Sequence, residues 1–248
     1  MLAEERFAAI LGILKRNGAA SVAQLCVQTG ASEATVRRDL AILARQGRLC
    51  KVRGGAVALD ARFEAAEPDM AAKAQLFTRE KERIARYAAA QVQDEDFVFL
   101  DAGTTILRMV EYLGASRATF VTSGIGCARR LVEKGLRAYV LGGLLKPGTE
   151  AVVGAQALQA LAGYNFSKAF LGMNGVAVRQ GFTTPDREEA CIKAKAAEQA
   201  YLAYVLVDAS KFGKVAAATV CPLEKAHIIT DRLPDEGYRR YTVVKEVE

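Results

Sequence analysis

Histidine is nearly absent from this 248-residue chain: His227 is the single one, set in the apolar run Ala226-His-Ile-Ile229. A histidine zinc site or a histidine general base is therefore not expected, and a packed strand residue is. The five cysteines, Cys26, Cys50, Cys127, Cys191 and Cys221, are odd in number, far apart and form no Cys-x-x-Cys. That spacing argues for scattered reduced thiols and against a disulfide framework or a metal. No apolar run approaches the roughly 20 residues of a membrane span, and Met1-Leu-Ala-Glu-Glu-Arg6 is unlike a signal peptide. A dinucleotide fingerprint is missing too. Gly124-Ile-Gly126 is followed by Arg129 at the third glycine position, and no acidic residue ends the next apolar run, 138–141. A cytoplasmic protein with no metal, no cofactor and no membrane partner is the expectation.

What is present is an ordinary globular composition, 51% apolar and 25% charged, in a chain long enough for one large domain and a small one. Charge is unevenly placed. Residues 1–57 hold nine Lys/Arg against four Asp/Glu, a net of +5, and the other 191 hold 25 against 24, a net of +1. Nearly all of the excess sits where a nucleic-acid contact surface would need it.

Phe7, Ile10, Leu11 and Leu14 recur at helical spacing up to Asn17-Gly18. Ser21 then caps a short helix closed by Thr29-Gly30, and Ser32 caps a third, 33–46, stopped by Gly47. Three helices with a tight turn before the third make a helix-turn-helix. On the third, Val36, Leu40 and Leu43 share the side that packs inward. Ala34, Arg38, Ala41 and Arg45 share the opposite side, with Thr35 and Arg37 on the flanks. Small residues between arginines let a helix sink into the major groove. Directly after it, residues 48–53 and 56–59 read as a hairpin around Gly54-Gly55. Arg48, Lys51 and Arg53 make that hairpin a basic wing able to track phosphates.

Residues 60–77 are alanine-rich and charged without clean periodicity, and read as a linker between a DNA-binding domain at 1–59 and a second domain at 78–248. Thr78 is expected to cap a helix carrying Ile84, Ala88 and Val92 on one face. Short apolar strands near 97–100, 119–121, 138–141, 168–171, 204–207 and 227–229 then alternate with helices near 106–113, 125–133, 156–161 and 188–200. Such alternation predicts an α/β domain with a mostly parallel sheet covered on both faces.

The turns after the strands are small and polar: Asp101-Ala-Gly-Thr-Thr105, Thr122-Ser-Gly124, Gly142-Gly143, Gly172-Met-Asn-Gly175 and Asp208-Ala-Ser-Lys211. They fall at one edge of the sheet, where open α/β sheets bind ligands. The Gly103-Thr104-Thr105 turn, opening a helix, suits a phosphate. Lys193 and Lys211 are placed to neutralise it, and Asp101 and Asp208 to accept from hydroxyls. Glu189, four residues before Lys193, has the spacing that is usually only a helix-stabilising pair.

Thr35-Val-Arg-Arg-Asp-Leu40 and Gly54-Gly-Ala56 resemble the N-terminal signature of the DeoR/GlpR family of bacterial sugar-metabolism repressors. Leu100-Asp-Ala-Gly-Thr-Thr105, Gly142-Gly143 and Asp208-Ala-Ser-Lys-Phe212 continue the resemblance over essentially the whole chain. It implies a winged helix-turn-helix joined to a sensor domain resembling ribose-5-phosphate isomerase and coenzyme A transferases. It also implies an oligomeric repressor, dimer or tetramer, that leaves double-stranded operator DNA when a phosphorylated sugar binds. Carried over, Ser32, Thr35, Arg37, Arg38 and Arg45, with Lys51, Arg53, Gly54 and Gly55 of the wing, contact DNA. Gly103, Thr104 and Thr105 hold the phosphate, and Glu189, Lys193, Asp208 and Lys211 take the remaining polar positions. Lys146, Thr149, Asn174 and Thr183, in their local motifs, are similar to fructose-operon repressors and point to fructose 1-phosphate. Thr122-Ser123 stands where the family usually has Thr-Asn, which shortens the reach of that wall. No catalytic residue is expected; the alternative is an isomerase-like enzyme with a DNA-binding appendage, using Glu189 or Asp101 as base.

Overall fold

Helix-stop glycines and capping hydroxyls act where the local chemistry puts them in the N-terminal unit. The computed structural model describes residues 2–46, 48–58, 62–63 and 70–248, and the chain divides into two compact units, 1–62 and 63–248. Helix α1 (Ala3–Asn17) ends at Gly18, whose N–H donates to the Leu14 carbonyl. A short strand β1 (Ala19–Ser21) leads to α2 (Val22–Thr29). The Ser21 side chain accepts from the Gln24 N–H, and left-handed Gly30 closes the helix. Ser32 caps α3 (Glu33–Arg45), accepting from the Thr35 N–H at 3.3 Å. Ile10, Leu14, Leu25, Val36, Leu40 and Leu43 form the core of this unit.

Strands β2 (Leu49–Val52) and β3 (Gly55–Ala58) make the expected hairpin, but its turn is Arg53-Gly54 rather than Gly54-Gly55. Gly54 takes a φ of +84°, while Gly55 is already a strand residue. Strand β1 pairs with β3 with Ser21 opposite Gly55, so the wing is three strands in the order β1-β3-β2. A Cβ on Gly55 would overlap the Ala20 carbonyl oxygen. Asp39 of α3 is buried and accepts from Arg6 of α1, Nε to Oδ2 at 2.5 Å and Nη2 to Oδ1 at 3.1 Å.

Strand β4 (Arg62–Phe63) spans the division. Of the expected linker, residues 60–61 and 64–69 lie outside the described residues, as does Leu59 of the expected wing, and Gly47. Met70–Gln75 within the linker is helical (α4). Helix α5 (Thr78–Ala89) begins with Thr78 inside it. Its N-cap is Phe77, in the left-handed region at φ 52°, so Thr78 is not the cap.

The rest of the second unit alternates as expected: β5 (Phe97–Leu100), α6 (Thr104–Tyr112), β6 (Thr119–Thr122), α7 (Ile125–Glu133) and β7 (Arg137–Val140). A small antiparallel pair follows, β8 (Leu144–Leu145) and β9 (Val152–Val153), then α8 (Ala155–Ala162) and β10 (Phe166–Gly172). Next come β11 (Gly175–Ala177), β12 (Gly181–Thr184), α9 (Arg187–Glu198) and β13 (Ala200–Leu206). The chain ends through β14 (Lys214–Val215), β15 (Ala218–Cys221), β16 (His227–Thr230) and β17 (Val244–Glu246). Seven strands form one sheet in the order β17-β16-β13-β10-β5-β6-β7, and every pairing in it is parallel. Strands β11, β12 and β15 form a separate antiparallel sheet that the strand signals did not anticipate.

Side chains alternate across the parallel strands. Phe99 and Val121 join α8 and α9 residues such as Leu161 and Ile192 on one face, while Val98, Leu100 and Phe120 join Ile84, Met109 and Leu131 on the other. Both faces are thus covered, which is why the strands read as short continuous apolar runs. No helix among the described residues is long and apolar enough to cross a membrane.

Candidate functional site

The strand order reverses once. From β5 the chain moves outward through β6 to β7, then returns to the other side of β5 at β10 and moves outward through β13. At such a switch point the two outgoing loops diverge and leave a crevice at the carboxyl ends of the strands. A pocket lies there. It is lined by the loop after β5 (Ala102, Gly103) with Thr104 and Thr105 of α6, by Gly172 and Asn174 after β10, and by Asp208 and Lys211 after β13. Gly103 is the N-cap of α6 and supplies no side-chain cap to its first turn. Backbone N–H groups, two hydroxyls and the positive end of the helix therefore converge on the crevice floor.

Lysines from outside the strand loops complete it. Lys73 of α4 and Lys81 of α5 both line the pocket, and neither was singled out from the sequence. Lys81 is buried and its ammonium donates to the Lys73 carbonyl. Burial pushes the Lys81 ammonium down to about 8; Asp208 opposes this, while Lys211, Arg108 and Lys73 push it further down. The signal was available. Lys81 lies three residues before Ile84, four before Ala85 and seven before Ala88, on the buried face of α5. A lysine on such a face requires a counter-charge or a ligand.

A second group of expected residues forms a buried ionic chain beside the pocket. Asp101 follows β5 directly, and its Oδ2 accepts from the Lys193 ammonium and, at 2.9 Å, from the Gly172 N–H. Burial raises the Asp101 carboxyl above its ordinary value, while Lys193 and the Gly172 N–H pull it back. Glu189 accepts from Lys146 at 3.0 Å and from Thr149 at 2.8 Å. Burial alone would raise its carboxyl, but Lys193, Lys146 and Thr149 together hold it low. Asp186 caps α9 by accepting from the Glu189 N–H at 2.9 Å and meets Lys146 at 2.7 Å. The Glu189/Lys193 spacing is thus more than a surface pair: both side chains are buried and face different partners.

The remaining expected positions are structural in their visible contacts. Thr122 Oγ1 accepts from the Gly124 N–H at 3.0 Å, and Ser123 is buried with its carbonyl accepting from the Val152 N–H at 2.7 Å. Gly142 is exposed, and Gly143 packs so closely on β9 that a Cβ would overlap the Val153 carbonyl. Thr183 accepts from the Ala216 N–H at 2.9 Å, and its neighbour Thr184 donates to the Asn174 side chain at 3.1 Å, orienting that pocket residue. Thr122, Ser123, Gly142, Gly143 and Thr183 do not line the pocket.

In the N-terminal unit, Arg37, Arg38, Arg45, Lys51 and Arg53 are all exposed. Arg37 Nε donates to Glu33 at 3.0 Å, Arg45 Nε to the Ala41 carbonyl at 3.4 Å, and the Ser32 and Thr35 hydroxyls lie 2.9 Å apart. These basic side chains thus sit on a helix and a hairpin whose other faces are spent on the core.

A helix-turn-helix unit followed by an α/β unit with a cation-lined pocket is the build of a transcription regulator with its own sensor. Residues 6–62 match the DeoR-like helix-turn-helix domain and residues 77–232 the DeoR C terminal sensor domain. The chain belongs to the DeoR family. It is 40% identical, over all of both chains, to the uncharacterized HTH-type transcriptional regulator FruR of Bacillus subtilis (strain 168). The HTH-type transcriptional repressor GlcR of the same organism is 32% identical over 96% of this chain and 92% of its own. A lactose phosphotransferase system repressor of Staphylococcus epidermidis is 33% identical over 92% and 91%. Among solved structures, ribose 5-phosphate isomerase A of Methanocaldococcus jannaschii overlaps 53% of each chain at 17% identity and a TM-score of 0.40.

Proposed function

We propose that this protein represses a sugar-utilisation operon and leaves its operator when a phosphorylated sugar, fructose 1-phosphate foremost, occupies the pocket at the β5/β10 switch point. The observation that carries this reading is the composition of that pocket. Gly103, Thr104 and Thr105 at a helix N-terminus face Lys81 and Lys211, with Asp208 as an acceptor for a sugar hydroxyl. Lysines around hydrogen-bond donors fit a phosphate, and one carboxylate among them fits the polyol attached to it. Fructose 1-phosphate is favoured by the name FruR carried by the 40% identical relative. The exposed Arg38 and Arg45 of α3 read the major groove, and Lys51 and Arg53 hold the backbone. A homodimer or tetramer presents two such helices to half-sites about one helical turn apart, or a multiple of that.

The isomerase reading is weaker because both carboxylates it would use as a base are committed: Asp101 to Lys193, and Glu189 to Lys146 and Thr149. The deciding experiment is a gel shift on DNA upstream of the protein's own gene, titrated with fructose 1-phosphate, glucose 6-phosphate, ribose 5-phosphate and inorganic phosphate. Fructose 1-phosphate should release the DNA at the lowest concentration. Release by a different member corrects the sugar. Release by none, with no turnover and no thermal shift, overturns the sensor assignment.

A further inference from the structure

We propose that α4 is a strap locked by the ligand: Lys73 supplies a further cation to the pocket, and an anion bound there fixes α4 in place. This rests on the sugar-phosphate reading and adds to it the device by which occupancy is felt outside the pocket. Helix α4 is the helix of the second unit that comes first in sequence, closest along the chain to the DNA-binding unit.

The six residues of α4 bury none of their side chains, so packing contributes little to holding the helix. Polar contacts tie it down. The Met70 N–H donates to the Gly148 carbonyl at 3.1 Å, on the loop that also carries Lys146 and Thr149. The Lys73 carbonyl accepts from the Lys81 ammonium. The joint to α5 is Phe77, a non-glycine residue at φ 52° and ψ 43°, a conformation that costs free energy unless neighbouring contacts enforce it. A helix with no buried side chain, tied by polar contacts and joined through strained backbone, has a small margin over an alternative arrangement.

Charge decides which way the ligand pushes. Lys73, Lys81 and Lys211 line one pocket, with Asp208 as the carboxylate among them. The Lys73 charge disfavours a second ammonium at Lys81, so an anion between the two is favoured by both. A phosphate dianion turns the same charges into attraction, and the gain is available only while α4 stays seated. Lys81 can then donate to both the Lys73 carbonyl and the anion, because an ammonium has three N–H groups.

The test uses full-length protein and the four-member panel above, with hydrogen exchange read at amides 71–77 and affinity read by calorimetry for wild type, Lys73→Ala and Lys73→Arg. The tightest panel member should slow exchange across α4 by about tenfold or more in the wild type. Lys73→Ala should bind about tenfold more weakly and lose that protection, and Lys73→Arg should recover most of both. If a panel member binds and releases operator while α4 exchange does not change, or Lys73→Ala binds as wild type does, the strap is wrong and the sensor reading stands. If no panel member binds, both fall together.

Discussion

The Lys193 ammonium and the Asp101 carboxylate meet in the interior, each side chain no more than 4% exposed, with the Gly172 N–H on the same carboxylate oxygen. A buried charge stripped of its partner is costly. Lys193→Ala should therefore lower unfolding stability by about 3–5 kcal/mol, and a paired Asp101→Asn, Lys193→Met replacement should recover much of it. Urea denaturation of wild type and both variants checks this. Equal stability of Lys193→Ala and wild type would mean that the pair is solvated in solution. The consequence reaches function: lost sugar response in Lys193→Ala would report folding as much as ligand contact. Lys211→Ala, on a partly exposed turn, is the cleaner probe of the pocket.

Lys81 gives the pocket a pH dependence. Its ammonium is lowered from 10.5 to about 8 by burial, with Lys73, Lys211 and Arg108 adding to the effect and Asp208 opposing it. The folded state therefore holds fewer protons than the unfolded chain between those values, so this residue's contribution to stability rises with pH from about 8 to 10.5. Ligand affinity should move the opposite way. A phosphate that is already dianionic favours protonated Lys81, so binding above pH 8 takes up a proton and weakens by up to about tenfold per pH unit. Calorimetry at pH 8.5 in two buffers of different ionisation enthalpy measures that uptake. Identical heats in both buffers would remove Lys81 from the site.

The alternation of apolar runs and helices made the parallel sheet readable, and β5 and α7 fall on the expected residues. That signal is strong because strands covered on both faces must be apolar throughout. Strands β11, β12 and β15 escaped because Gly175–Ala177, Gly181–Thr184 and Ala218–Cys221 are short and carry glycine and threonine. The β12 hydroxyls are buried, Thr183 accepting from the Ala216 N–H, which no hydrophobic pattern records. In the site, residues placed by strand ends were legible, and Lys81 carried a signal in its place on the apolar face of α5. Lys73 carried none: its membership depends on how α4 lies across the sheet edge, a tertiary fact. The same gap hid Asp39, whose burial in α3 depends on Arg6 of α1 lying against it.

Gly55 tests the wing. A Cβ added there would meet the Ala20 carbonyl across the β1–β3 pair, and a backbone atom cannot swing aside as a side chain can. Gly55→Ala should force β1 and β3 apart at a cost of about 1–3 kcal/mol and weaken operator binding at least about tenfold. Fluorescence anisotropy on labelled operator reads this directly. A variant that binds like wild type would show that the third strand of the wing is dispensable.

The two kinds of basic residue in the N-terminal unit should fail differently. Arg38 projects from α3 and Lys51 from the wing, both exposed. If α3 enters the major groove, Arg38→Ala removes a hydrogen bond to a base. Discrimination between operator and a scrambled duplex should then fall by about 1–3 kcal/mol, with the dependence on salt nearly unchanged. If the wing tracks the backbone, Lys51→Ala should weaken both duplexes alike. It should also reduce the slope of log K against log salt by about one for each phosphate that Lys51 neutralises in the wild type. Anisotropy titrations of both variants on both duplexes, from low to moderate salt, separate the roles. A uniform loss from Arg38→Ala together with a sequence-dependent loss from Lys51→Ala would reverse the assignment of helix and wing. Specificity would then have to be sought in the hairpin around Arg53-Gly54.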